Sequence, residues 1–366
     1  MGEEQNALFS PFEHNKITLD NRLVMAPMTR NMSPDFVPGK DVAAYYRRRA
    51  ENHIGLIVTE GVWIPHVAAV GGNAIPAIHG DEPLEGWSRV VQQVHEVGGK
   101  IVPQLWHVGA LRRPGVGPEP EVPGYSPSGI VKPGGKVVNH VMTESDIADV
   151  IEAFAKAAAN TQRIGFDGLE IHGAHGYLID QFFWSGTNLR SDRYGGDMAG
   201  RNRFAEEVIK AIRQTVGEDF LVILRFSQWK QQDFSVQLGA NPDELGEFLS
   251  PLSDAGVDIF HCSTRRFWEP EFDGSALNLA GWTQKLSGKP AITVGSVGLD
   301  SEFAGGPAGA KATGIDELLK RLEAGEFDLV AVGRALLQDP EWGSKVFEER
   351  FDEIRDYDPA SLGTLY

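Results

Sequence analysis

The chain is short of cysteine, of positive charge and of long apolar runs, and each shortage removes a class of function. Cys262 is the single cysteine among 366 residues, so no intrachain disulfide, cysteine-held iron–sulfur cluster or Cys-rich zinc site can form. That usage fits a reducing compartment, and a cytoplasmic location is expected. Lys and Arg number 34 against 51 Asp and Glu, and the resulting charge of −17 repels nucleic acid and anionic membrane surfaces. The densest basic run, Arg47-Arg48-Arg49, lies in a helical stretch before Gly55 and reads as a solvated face. No stretch approaches the roughly 18 uninterrupted apolar residues of a membrane span. The acidic N-terminus has no apolar signal core, and no Gly-X-Gly-X-X-Gly turn offers a nicotinamide dinucleotide a Rossmann site of its own. The expected partner is a small molecule, with neither nucleic acid nor membrane, and nothing in the pattern reads out an oligomeric state.

Against these shortages stand eight short apolar runs that stop at glycine or at a polar cluster. They are Arg22 to Ala26, Gly55 to Thr59, Ile101 to Gln104, Gly168 to His172, Leu221 to Arg225, Val257 to Cys262, Ala291 to Gly295 and Leu329 to Gly333. Most are nearly continuous rather than alternating, as expected of strands covered on both faces of a parallel sheet. Helical patterns separate them. The clearest spans Glu144 to Ile164, with Ile147, Val150, Ile151, Phe154, Ala157, Ala158 and Ile164 on one face, opened by Thr143-Glu-Ser-Asp146 and closed at Gly165. Eight strands alternating with helices predict an α/β fold, a single (β/α)8 TIM barrel over residues 1–366; a doubly wound sheet is the runner-up. Residues 1–20 are expected to cap the barrel floor. The segment from Ala110 to Val141, rich in Pro and Gly, is too long for a simple connection and reads as a lid, a long loop or a hairpin after the third strand.

In such a barrel the loops at the C-terminal strand ends form the active site. Those ends carry Pro27-Met28-Thr29, Glu60-Gly61, Gln104-Leu-Trp106-His107, His172 with His175 and Tyr177, Arg225, Gly295-Ser296 and Gly333-Arg334. Two imidazoles and a phenol within six residues make a polar site with acid chemistry: neutral imidazoles donate to a carbonyl or nitro oxygen, and a phenol gives its proton only to a strong base such as a carbon gaining negative charge. Gly295-Ser296 and Gly333-Arg334, after the last two strands, suit a phosphate, because glycine lets backbone N–H groups approach an anion and arginine supplies a charged fork.

Five ordered motifs resemble the old yellow enzyme family, the FMN-dependent ene-reductases and their relatives. They are Met25-Ala-Pro-Met-Thr-Arg30, Gly55-Leu-Ile-Val-Thr-Glu-Gly61, Gln104-Leu-Trp-His107, His172-Gly-Ala-His-Gly-Tyr177 and Asn188-Leu-Arg-Ser-Asp-Arg-Tyr-Gly-Gly196. The resemblance runs from about Leu8 to Pro340. It implies FMN as cofactor, NADPH or NADH as reductant and an electron-poor alkene as substrate. It further implies that Thr29 meets the flavin O4, Gln104 the pyrimidine edge and Arg225 the N1 and O2 side. Pro27, Met28 and Gly61 would lie against the ring, and Gly295, Ser296, Gly333 and Arg334 would hold the phosphate. His172 and His175 would grip the substrate oxygen, Tyr177 would protonate the α-carbon and Trp106 would shape the substrate pocket.

The chain departs from the family pattern at Ala110, where many relatives have Arg, and at Trp184-Ser-Gly-Thr after Gln181-Phe-Phe183. Trp229, Phe267 and Trp268 are bulky residues whose orientation the sequence does not give. A flavin-dependent N-demethylase or amine dehydrogenase is the alternative oxidative reading. A metal-dependent barrel hydrolase using His172 and His175 is the alternative from another class, and no metal is expected on the first reading. A non-catalytic binding barrel would leave Tyr177 and the phosphate loops without a joint purpose.

Overall fold

The apolar runs need cover on both faces, and in the computed structural model, which describes residues 6–303 and 308–366, they obtain it by closing into a (β/α)8 barrel. The strands are β1 (Phe12–His14), β2 (Ile17–Leu19), β3 (Leu23–Met25), β4 (Leu56–Trp63), β5 (Lys100–Trp106) and β6 (Tyr125–Ser126). There follow β7 (His140–Val141), β8 (Gly168–His175), β9 (Leu221–Lys230), β10 (Ile259–Ser263), β11 (Ala291–Val294) and β12 (Leu329–Val332). Eight of them form the closed parallel sheet, in the order β3-β4-β5-β8-β9-β10-β11-β12, with β12 pairing back onto β3. The helices are α1 (Lys40–Ala50), α2 (Asp81–His95), α3 (Glu144–Arg163), α4 (Leu178–Phe183) and α5 (Met198–Val216). They continue as α6 (Pro242–Ala255), α7 (Leu279–Ser287), α8 (Asp316–Glu323), α9 (Arg334–Gln338) and α10 (Trp342–Phe347).

Helix α3 shows how local chemistry sets these boundaries. Thr143 Oγ1 accepts the Asp146 N–H at 3.2 Å while Asp146 Oδ2 accepts the Thr143 N–H at 2.7 Å, a reciprocal cap. The chain leaves the helix through Gly165 at φ +92°. Ile147, Val150, Phe154, Ala157 and Ala158 are buried against the sheet, and each large side chain so covered contributes roughly 1.5–3 kcal/mol.

The barrel floor is closed by the antiparallel pair β1 and β2, whose Phe12, Ile17 and Leu19 join Val24, Leu56, Val102, Leu221, Ile259, Ile292 and Leu329 in the interior core. This is the cap expected of the N-terminal residues; the part of that expectation on residues 1–5 lies outside the described residues. Five strands run beyond their expected ends: β4 to Trp63, β5 to Trp106, β8 to His175, β9 to Lys230 and, by one residue, β10 to Ser263. The ladders β4–β5 and β8–β9 carry register shifts, between Val58 and Gly61 and between Gly173 and His175, so pairing resumes past the polar residues that look like strand stops in the sequence.

The arginine run is not one solvated face. Arg49 is fully buried, donating to the carbonyls of Tyr45 at 3.1 Å and Leu336 at 3.0 Å, its guanidinium 3.8 Å from the centre of the Tyr45 ring. Successive helical residues point about 100° apart, so three consecutive arginines cannot share an exposure, and Arg49 ties α1 to α9. Of the loop or hairpin expected after β5, the structure has a loop, in which β6 and β7 pair in parallel. Arg190 and Asn188 anchor its surroundings: Arg190 donates to the Pro127 and Met142 carbonyls, and Asn188 to the Phe182 and Tyr194 carbonyls.

Candidate active site

Period-two alternation gives each barrel strand an inward face, and on β5, β8, β9 and β10 that face changes character toward the C-terminal end. Val102, Ile223 and Ile259 sit in the apolar interior. Above them Gln104, Trp106, His172, Arg225 and Ser263 line a cavity of about 370 Å³, a volume suited to a small ligand. Among the residues expected at the site, Pro27, Met28, Thr29, His175, Tyr177, Gly295, Ser296, Gly333 and Arg334 line the same cavity.

One wall is the segment after β3. Glu60, buried within β4, accepts the N–H groups of Arg30 at 2.8 Å and Asn31 at 3.0 Å through Oε2 and so fixes the turn that presents Pro27, Met28 and Thr29. Burial pushes the Glu60 carboxyl up to about 7, against the pull of those two N–H groups. Gly61 is not among the cavity-lining residues. A Cβ there would fall 2.5 Å from the Trp106 ring, so this glycine makes room for the indole.

The opposite wall carries the imidazoles and the phenol. His172 Nδ1 accepts the Ala174 N–H at 3.3 Å, which leaves Nε2 as the donor. His175 adopts φ +64°, donates its backbone N–H to Ser227 Oγ at 3.0 Å, and holds Nε2 2.8 Å from Ser263 Oγ. Its ring stacks on Trp229 at 4.6 Å and 21°. Burial, then the positive charge of Arg225, holds both imidazoles well below the usual histidine range, so both are neutral near pH 7. The Tyr177 ring lies 4.9 Å from both Trp106 and His172, and burial pushes its phenol up. Gln231 Nε2 donates to the Tyr177 hydroxyl at 3.2 Å, leaving the phenolic proton free for another acceptor.

The turn between the two residues is stapled from below. Gly176, at φ +79°, donates its N–H to Asp180 Oδ2 at 2.7 Å, and Asp180 Oδ1 pairs with Lys230 Nζ at 2.6 Å, both side chains fully buried. At the far end of the cavity Gly295 takes φ +150°, and a Cβ there would meet Thr264 Oγ1 at 2.5 Å. Ser296 Oγ donates to the Arg265 carbonyl at 2.9 Å, and Arg334 Nη2 donates to Ser296 Oγ at 3.3 Å.

Gln231, Ser263, Tyr357 and Leu362 also line the cavity without having been singled out in the sequence. Ser263 is the inward partner of Ile259 in a plain alternation and could have been found. Tyr357 and Leu362 reach the cavity from the end of the chain, for which no local pattern exists. Trp229 lines the cavity, whereas Phe267 is buried in the core outside the barrel and Trp268 packs against it. No residue between Ala110 and Val141 lines the cavity: Tyr125 instead packs on His66 at 5.1 Å and on His140 at 4.3 Å.

The donor set fits FMN. Arg225 Nε is buried without a partner, and the Gln104 amide spends one N–H on Glu170 at 2.8 Å, leaving a second N–H and a carbonyl for a polar heterocyclic edge. The Gly295, Ser296 and Arg334 cluster at the other end suits a phosphate. Among the described residues no three His, Cys, Asp or Glu side chains gather to hold a metal ion, and no helix is long and apolar enough to cross a membrane.

Residues 7–353 match the model of the NADH:flavin oxidoreductase / NADH oxidase family. The chain is 33% identical to the NADH oxidase of Thermoanaerobacter brockii over 98% of its own length and 53% of that protein's, so it spans about half of that relative. It is 37% identical to 12-oxophytodienoate reductase 7 of Oryza sativa subsp. japonica, over 93% of this chain and 87% of that one. Among solved structures, morphinone reductase in complex with tetrahydroNAD superposes with a TM-score of 0.81 at 27% identity, covering 97% and 93% of the two chains. The old yellow enzyme homologue from Zymomonas mobilis gives 0.80 at 26%, covering 98% of each.

Proposed function

The chain belongs to the NADH:flavin oxidoreductase / NADH oxidase family, and from that premise we propose that it is an FMN-dependent, NAD(P)H-driven reductase of activated C=C bonds, built as a single (β/α)8 domain. Its substrates are α,β-unsaturated carbonyl or nitro compounds. The observation that carries the reading is the meeting of His172, His175 and Tyr177 on the wall of a cavity whose floor and far end present Gln104, Arg225, Ser296 and Arg334.

When bound, FMN would supply the hydride that the β-carbon of the alkene accepts. Thr29, Gln104 and Arg225 would hold its ring, Pro27 and Met28 would back it, and Gly295, Ser296, Gly333 and Arg334 would hold its phosphate. His172 and His175, kept neutral by burial, donate to the substrate oxygen. As negative charge moves onto that oxygen their hydrogen bonds strengthen, which favours the transition state over the ground state. His175 does so through Nδ1, because Nε2 faces Ser263. Tyr177 protonates the α-carbon: Gln231 occupies an acceptor site on its oxygen rather than its proton. Trp106 and Trp229 bound the pocket and exclude water.

No separate dinucleotide fold stands beside the barrel among the described residues, so the reductant and the alkene take turns in one cavity. The test is the visible spectrum of the purified protein, followed without oxygen by NADH or NADPH and then 2-cyclohexenone. Flavin bands that bleach and return, with parallel initial-rate plots, support the reading. A protein that cannot be loaded with FMN overturns it, and one that bleaches but ignores enones moves it to demethylation of amines.

A further inference from the structure

Below the cavity floor lies a buried charge with no part in the chemistry above. Glu170 projects inward from β8, one inward position beneath His172, and is completely buried. Both of its oxygens are taken: Oε1 accepts from Gln104 Nε2 at 2.8 Å and Oε2 from His261 Nδ1 at 2.7 Å. His261, inward on β10, is equally buried, and its Nε2 has no partner.

These contacts decide two things. A carboxylate only accepts, so Glu170 forces the Gln104 amide to turn its NH₂ downward on that side, and the carbonyl then faces the cavity with the second N–H. Without that constraint the two ends of the amide are nearly the same shape and can exchange. The second point is charge. An unpartnered Nε2 is buried at lower cost as a bare lone pair than as an N–H of a cation, and burial accordingly holds His261 below its usual range. His261 therefore orients Glu170 without neutralising it. The balancing cation is Arg225, the register partner of His261 on the neighbouring strand, whose own Nε is unpaired.

We infer that Glu170, clamped by His261, is a positioning residue for the cofactor: it fixes which end of the Gln104 amide meets the pyrimidine edge of FMN, and it offsets the Arg225 charge at that edge, lowering the flavin potential. The inference rests on the FMN reading of the cavity. With Glu170 neutral, Arg225 would act unopposed and favour the anionic reduced flavin.

The experiment measures FMN dissociation constants and midpoint potentials for the wild type, Glu170→Gln and Glu170→Asp, with Gln104→Ala made alone and combined with Glu170→Asp. Glu170→Gln is expected to favour reduced over oxidised FMN by about tenfold, a rise of about 30 mV for a two-electron couple. Glu170→Asp keeps the charge but draws the carboxylate back, so FMN should bind severalfold more weakly at an unchanged potential. That loss should vanish in the Gln104→Ala background. An unmoved potential in Glu170→Gln, or an Asp effect that persists without Gln104, overturns the inference. Should Glu170→Gln not fold, the Asp variant and its cycle decide it. A wild type that takes up no FMN overturns the functional reading and this inference with it, whereas a wild type that binds FMN with unresponsive variants overturns this inference alone.

Discussion

Replacing Tyr177 by phenylalanine removes a single oxygen from the cavity wall and separates proton transfer from everything else the wall does. The ring contacts to Trp106 and His172, both at 4.9 Å, survive. The hydroxyl has one protein partner, the exposed Gln231 at 3.2 Å, so the loss of stability is about 1 kcal/mol at most. The loss of a positioned general acid typically costs 10²–10⁴-fold in rate, or about 3–5 kcal/mol of barrier at 1.36 kcal/mol per decade. Chemistry therefore outweighs packing by severalfold. Stopped-flow absorbance resolves the halves of the cycle: bleaching by NADH or NADPH should proceed at the wild-type rate, and return of the bands on adding 2-cyclohexenone should slow by two to four decades. A slowing of less than tenfold, or an equal slowing of both halves, would show that Tyr177 is not the proton donor.

Three further outcomes are expected. His175→Ala should weaken enone and phenol binding and slow the alkene half-reaction by about 3–4 kcal/mol in barrier with FMN content unchanged; lost flavin instead would mean that the imidazole holds the cofactor. Glu60 is raised from its ordinary 4.5 to about 7, so the folded chain binds this proton more tightly than the unfolded one. Its stabilising effect is full below pH ~4.5 and is lost as pH rises through about 7, a change of about 3 kcal/mol; urea unfolding of Glu60→Gln should lack that slope, and a slope identical to wild type would refute the assignment. Lys230→Met strands the buried Asp180 with the Gly176 N–H as its remaining partner and should cost about 3–5 kcal/mol of unfolding free energy. Adding Asp180→Leu should recover a substantial part of that loss, and a double variant no more stable than the single one would count against the buried pair.

How far the molecule could be read from its residues varies by element. The eight apolar runs were legible because strands covered on both faces must be apolar almost throughout, and α3 because its cap and its periodic face are both local. The ends of β4, β8 and β9 were not, since the ladders resume beyond register shifts that only a neighbouring strand can impose. Thirteen of the expected site residues lie around one cavity and Gly61 does not, because its place is decided by the bulk of Trp106 across the β4–β5 ladder. Glu170 and His261 sit at plain period-two positions, yet a single polar residue inside an apolar run carries no sign of the partner it will meet.

By itself, then, the sequence determined the strand count, the class of barrel, the cap on its floor and the short imidazole and phenol cluster, all of which depend on neighbours within a few residues. Tertiary structure alone decided that Ser263 meets His175, that Gln231 meets Tyr177, that Glu170 bridges Gln104 and His261, and that Tyr357 and Leu362 reach the cavity. Each of those side-chain pairings joins residues more than 50 positions apart, 88 for Ser263 and His175, and the chain end reaches the cavity from farther still. Such contacts exist only once the closed barrel turns the inward faces of separate strands toward one interior.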